Sequence, residues 1–208
     1  MASVVDICNL SLSRLGDNAT VSSIDPPEGS PQAQYCKNFY PLARDTMLEM
    51  HQWSFTTRRI APSLVTYPFN QWAYAYAAPA DLIDVISVMD VESSDDFVRT
   101  SASYAPQTYS LESLDDGTAV ILTNQENALV RYTAKVTDAA KFPALFVDAL
   151  AWLLASHLAG PLIKGEVGAS TSRSCYQAFM QAFNRATAID ANNQKRDIKP
   201  NVTWVANR

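Results

Sequence analysis

ICNLSLSRLGD (7–17), SSIDPPEGS (22–30) and FYPLARDTMLEMHQWSF (39–55) make up the stretch from which the fold is read. Around the first segment, Val4, Cys8, Ser11 or Leu12, and Leu15 recur at helical spacing, so a helix over 3–15 carries one apolar face. Gly16 supplies the residue that stops it. The second segment cannot extend that helix, because Pro26 and Pro27 have no backbone donor; Ile24 is its expected apolar anchor. Ser30 is placed to cap a second helix with Pro31 in its first turn. Cys36, Phe39 or Tyr40, Ala43, Met47 and Met50 form its apolar stripe, which runs to about Gln52. Pro41 falls inside this helix and predicts a kink or break.

Working outward, the pattern changes after Gln52. Ser54 to Ile60, Trp72 to Ala77, Leu82 to Met89, Tyr109 to Leu111, Ala119 to Thr123 and Leu129 to Lys135 are short β-like runs, and Asp115, Asp116 and Gly117 make the clearest hairpin turn. Helical periodicity then resumes. PALFVDALAWLLASHLAGPL (143–162) is apolar almost all round, so the helix must be buried on several sides, inside one chain or against neighbouring copies. A last helix over 170–190 carries Cys175 or Tyr176, Phe179, Phe183 and Ala186 on one stripe. The expected class is α+β: a helical bundle core from 1–52 and 137–191, a β-rich insertion over 53–136, and an extended C-terminal tail over 192–208.

The chain has 208 residues, 48% of them hydrophobic, enough to bury a substantial core. No run of about 18 consecutive apolar residues marks a membrane span, and the start MASVVD lacks the basic lead of a signal peptide. Cys8, Cys36 and Cys175 lie far apart without metal-ligand spacing, and free buried thiols are expected; no cofactor or metal is expected. A net charge of -5 argues against a protein whose main task is to grip the phosphate backbone, and suits a surface past which DNA slides.

Catalytic constellations are thin. Asp95 with Asp96, and Asp115 with Asp116, are the carboxylate pairs a glycan-cleaving enzyme would use, but adjacent turn residues diverge and stay solvated. His51 and His157 have no nucleophile elbow to serve, and phosphate-cradling glycine loops are absent from the sequence. Arg58 and Arg59, with Lys195, Arg196 and Lys199, are the basic clusters a DNA-binding module would use. Trp204 and Val205 are an apolar pair in a polar tail. They either fold back on their own domain or insert into another chain.

The segments quoted at the outset, with AYAAPADLIDVISV (75–88) and FVDALAWLLASHLAGPL (146–162), resemble the head-to-tail adaptor family of short-tailed bacteriophages, also called tail tubular protein A. The second block is similar to the family's aromatic strand and Pro-Ala-Asp turn, and the third to its core helix. Where relatives often set a basic residue and an acid one turn apart, this chain has Leu153 and His157. The resemblance implies a structural protein of the virion, assembled in the host bacterial cytoplasm and not an enzyme. It implies a homo-oligomeric ring of twelve subunits beneath the portal protein. The helical part would form the ring wall, and the β-rich insertion would face the distal tail (nozzle or tube) protein. DNA would pass through the lumen without sequence-specific binding. Expected partner-interface residues are Ile198, Trp204 and Val205 in the tail, and Leu154 and His157 on the apolar helix. A carbohydrate-cleaving tail-associated enzyme and a DNA-binding module are the alternatives.

Overall fold

Ser3 starts the first helix, α1 (Val4–Arg14): its hydroxyl accepts from the Asp6 N–H, and the Asp6 carboxylate accepts from the Ser3 N–H. The computed structural model describes residues 2–93 and 104–193. Ile7, Cys8 and Leu12 of α1 are buried. In the loop that follows, Asn9 brackets Val21, donating from Nδ2 to its carbonyl at 2.9 Å and accepting from its N–H at 2.7 Å. Val21 is thus the buried anchor, whereas Ile24, the residue expected there, is only half-buried. The bracket spans twelve residues, a reach that local pattern does not register.

Helix α2 (Pro31–Glu49) is capped by Ser30, whose hydroxyl accepts from the Ala33 N–H at 3.1 Å. It runs on through Pro41, so the break allowed for at that residue does not occur. Pro41 is exposed, while Cys36, Tyr40, Ala43 and Met47 are buried, so the ring interrupts only the outward rim of the helix. Between Tyr40 and Phe39 the burial selects Tyr40, and Met50 stays exposed.

Helix α3 (Ala144–Ile163) is met by α1, α2 and α4 (Gly165–Asn192). Packing on three sides accounts for a helix without a polar face: Phe146, Leu150, Leu153, Leu154 and Leu158 are all buried. By length and composition α3 would suffice to cross a membrane, yet more than half of it is buried within its unit. Helix α4 begins five residues before the expected Ser170, because GEVGA, which reads as loop, is helical here. Gly168 permits this: a Cβ at that position would lie 3.1 Å from the Ala159 carbonyl oxygen. The α3–α4 junction is made by Lys164 (φ 60, ψ 166) and Gly165 (φ 62).

An aromatic cluster closes this helical core. Trp53 donates from Nε1 to the Met47 carbonyl at 2.8 Å and meets Phe146 edge-on at 5.0 Å and Phe183 at 5.9 Å. Phe55 meets Phe146 at 5.1 Å and Phe142 at 6.0 Å. The described residues divide into two units, 2–56 with 135–193, and 57–93 with 104–134. The boundaries expected at 53 and 136 therefore shift, because Trp53, Phe55 and Val136 belong to the helical core.

The second unit is all β. One antiparallel sheet has the order β1 (Thr57–Ile60), β6 (Ala128–Ala134), β3 (Leu82–Asp90); the other has β2 (Tyr74–Ala77), β5 (Ala119–Thr123), β4 (Tyr109–Ser113). Tyr76 and Ile121 of one sheet share a core with Val85, Val88, Val130 and Tyr132 of the other. On the second face of the β2–β5–β4 sheet, Ala75, Val120 and Leu122 are covered by Val65, Tyr67 and Trp72. The β4–β5 hairpin turns at Gly117 (φ +83), whose N–H donates to the Leu114 carbonyl at 2.8 Å. The described residues form an α+β fold with four helices and two small antiparallel sheets.

Candidate functional site

Of the two interface candidates on α3, the fold brings only His157 to the surface. Its ring stacks on Phe39 of α2, with centroids 6.0 Å apart and planes within 15°. Together with Ser156, Arg173, Tyr176 and Gln177 it lines an open depression of about 440 Å³ between α3 and α4. Ser172 Oγ donates to the Ser156 carbonyl at 2.7 Å and fixes the floor. Pro161 cannot supply the usual donor to the His157 carbonyl one turn earlier. Burial pushes the His157 pKa below its ordinary value, which keeps the ring neutral near pH 7. Leu42 (54% exposed) on α2, and Val167, Tyr176 (49% exposed) and Ile189 on α4, are larger apolar side chains that this unit leaves to solvent.

Leu154 stands elsewhere. It is fully buried among the helices of its own unit, so its contacts are within one chain and it offers no surface to a second. The sequence marks both residues as part of an apolar helix but does not say which side α2 and α4 leave open. Ile198, Trp204 and Val205 lie outside the described residues, as do Asp95, Asp96, Lys195, Arg196 and Lys199.

The β unit has an apolar surface of its own, in a segment not singled out from the sequence. Leu64 (63% exposed) and Phe69 (57% exposed) project from the chain before β2, and Tyr67 meets Phe69 edge-on at 5.4 Å. Trp72 and Tyr74 complete the wall of an open cleft of about 390 Å³ there. TYPFNQW (66–72) carries aromatics at close spacing, which is the signal that could have found it.

Residue types that suggest catalysis are placed in structural roles. Ser54, His51 and Asp190 converge, but the carboxylate sits between the other two. Asp190 accepts from the Ser54 N–H at 2.9 Å and from its Oγ at 2.5 Å, and His51 Nε2 lies 3.4 Å from the same carboxylate. A nucleophile needs the imidazole, not the acid, against its hydroxyl. Here Asp190 instead caps the short 3-10 turn Ser54–Thr56 from α4. Asp116 accepts from the Thr118 N–H at 2.8 Å, which holds its pKa below the usual carboxylate value. Arg58 is paired with Asp81, which also accepts from the Tyr132 hydroxyl at 3.1 Å. Among the described residues no group of three or more His, Cys, Asp or Glu is placed to hold a metal ion. No protein-family model and no curated protein sequence matches the chain. Recognition chemistry, through stacked rings and exposed aliphatic side chains, is what both surfaces offer.

Proposed function

We propose that this chain is a subunit of the head-to-tail connector of a short-tailed bacteriophage, a structural component of the virion. Copies close side by side into a ring beneath the portal protein, twelve by the family resemblance, and DNA passes through the lumen without sequence-specific binding. The observation that supports this best is the division of labour within the chain. A helical unit assembled from the residues before and after the β unit exposes apolar side chains, Leu42, Val167, Tyr176 and Ile189 among them, and the inserted β unit exposes others, Leu64 and Phe69 among them. A bridge between two unlike partners needs two separate recognition surfaces, and a heterologous side-by-side contact that closes on itself makes a ring. The helical unit, with His157, is assigned to the ring wall and portal side. The β unit is assigned to the distal tail protein, and Ile198, Trp204 and Val205 to contact with portal or a neighbouring subunit. The net charge of -5 suits a lumen that must release DNA.

Native mass measurement of the purified chain, alone and mixed with portal rings, tests the proposal. A portal-bound assembly carrying a fixed number of copies is expected. Free chain and free portal at micromolar concentrations of both would overturn it. A shift of duplex DNA that weakens steeply with salt would favour a DNA-binding module instead.

A further inference from the structure

Helix α1 and the loop after it meet α2 around an open cavity of about 460 Å³. Lys37, Tyr40 and Arg44 line it from α2, and at positions i, i+3 and i+7 they share one helix face. Val4, Val5 and Ile24, with Pro41, supply apolar wall. Val4 and Val5 are also the first two residues of α1, whose N–H groups find no acceptor within the helix and carry the positive end of its dipole. The Asp6 carboxylate accepts from the Ser3 N–H at 2.8 Å and leaves those two uncapped.

The lining holds donors without acceptors. Tyr40 is 3% exposed, and its hydroxyl, at the end of the side chain furthest from α2, is buried with no hydrogen-bond partner among the described residues. Ser22 and Ser23, also on the lining, differ: they give their hydroxyls to Glu28 and to the Pro26 carbonyl. The Arg44 guanidinium carbon lies 6.0 Å from the centroid of the Tyr40 ring. Arg44 donates from Nε and pairs through Nη2 with Asp45, each at 2.8 Å, so Nη1 keeps both hydrogens for another acceptor. Lys37 stands 4.0 Å from Asp25, beyond hydrogen-bonding distance. Asp25 is the carboxylate on the lining, against the cations Lys37 and Arg44, so the wall carries one net positive charge.

We propose that this cavity is a binding site for a monocarboxylate carried on a small apolar body. The body packs against Val4, Val5, Ile24 and Pro41, and the carboxylate accepts from the Tyr40 hydroxyl and pairs with Arg44 and Lys37. A phosphate dianion fits less well, because its second charge would meet Asp25 and apolar wall with no cation left to pair it. A free organic acid and the C-terminal end of a peptide with an apolar last residue offer this same chemistry. Such a site lies within the helical unit and stands whether or not the chain forms a connector ring.

The test is titration of the isotope-labelled full-length chain, followed by amide nuclear magnetic resonance, with 3-phenylpropionate, acetyl-Gly-Gly-Phe, the uncharged amide of each, and inorganic phosphate. Saturable shifts of the Val4 and Val5 amides are expected with a carboxylate probe and not with its amide or with phosphate. Saturation by 3-phenylpropionate assigns the site to free acids; saturation by the peptide alone assigns it to a partner's chain end. Tyr40→Phe removes an unpartnered hydroxyl, so the variant should unfold at a urea midpoint no lower than wild type. It also loses a hydrogen bond to a charged acceptor, so binding should weaken by about tenfold or more. Lys37→Met, at the half-exposed rim, should weaken binding in the same direction, and it decides should Tyr40→Phe fail to fold. No saturable shift with either carboxylate up to about 10 mM would overturn the proposal. So would equal binding of the amides, preference for phosphate, or binding undiminished in the folded Tyr40→Phe chain.

Discussion

Lys164 carries a backbone conformation that belongs to glycine. At φ 60 and ψ 166 its Cβ crowds the chain, a strain of about 1–3 kcal/mol, and the residue holds that geometry because α3 and α4 must reverse direction within two residues. Lys164→Gly removes the strain and adds about 0.5–1 kcal/mol of unfolded-state entropy to be lost. The expected outcome is a stability gain of about 1 kcal/mol, seen as a higher urea midpoint with an unchanged slope. A lower midpoint would mean that the lysine side chain contributes something its geometry does not reveal. His157 makes a prediction of opposite sign. Its pKa in the folded chain lies below the unfolded value of about 6.5. As pH falls through that value, the unfolded chain takes up the proton first and folded stability drops. His157→Gln should therefore lose less stability than wild type between pH 7 and pH 5, measured by denaturant titration at each pH. An equal loss in both proteins would assign the acid sensitivity to other groups.

At the scale of elements, α3 is the helix that α1, α2 and α4 all pack against in the helical unit. Leu154→Asp would place a carboxylate where no water and no cation reaches it, at a cost of about 4 kcal/mol, a large share of the stability of a domain. Leu42→Asp, on the exposed rim of α2, should cost about 0.5 kcal/mol or less. Comparable unfolding midpoints for the two variants would contradict the burial described. The apolar residues of α3 announce that the helix is enclosed, since a sequence without a polar face leaves no other stable place for it. What they do not announce is which neighbour encloses which side, and so Leu154 and His157, three residues apart, look alike in sequence and part company in the fold. The strands were legible because alternation and the Asp115–Gly117 turn are local signals. The start of α4 was not, because both glycines read as loop: Gly165 supplies the positive φ of the junction, and Gly168 is required only once α3 lies too close to admit a Cβ. The Ser54–Asp190 cap and the Asn9–Val21 bracket were invisible for the same reason: each joins residues that only the folded chain brings together.

At the scale of the whole molecule, the connector proposal expects the exposed apolar residues of the two units to act on different partners. The double variant Leu64→Ser, Phe69→Ser should weaken binding to the distal tail protein by tenfold or more, corresponding to about 1.4 kcal/mol, and leave portal binding within a factor of two or so, measured by surface-immobilised titration. Loss of portal binding with tail binding kept would reverse the orientation. The strand pairing also has a bearing on ancestry. Thr57, where the chain enters the β unit, is the register partner of Thr133, near where it leaves, so entry and exit lie side by side at about 5 Å. A segment whose two ends nearly touch is a cassette. It can be cut out and its gap closed by a two-residue turn, or replaced by any hairpin-ended module, with little change required of the helices. Removing 58–132 and joining the flanks through Asn-Gly should leave a helical protein that unfolds cooperatively. If it does, then on the connector proposal recombination between phages could exchange what the ring grips below while inheriting intact what it grips above.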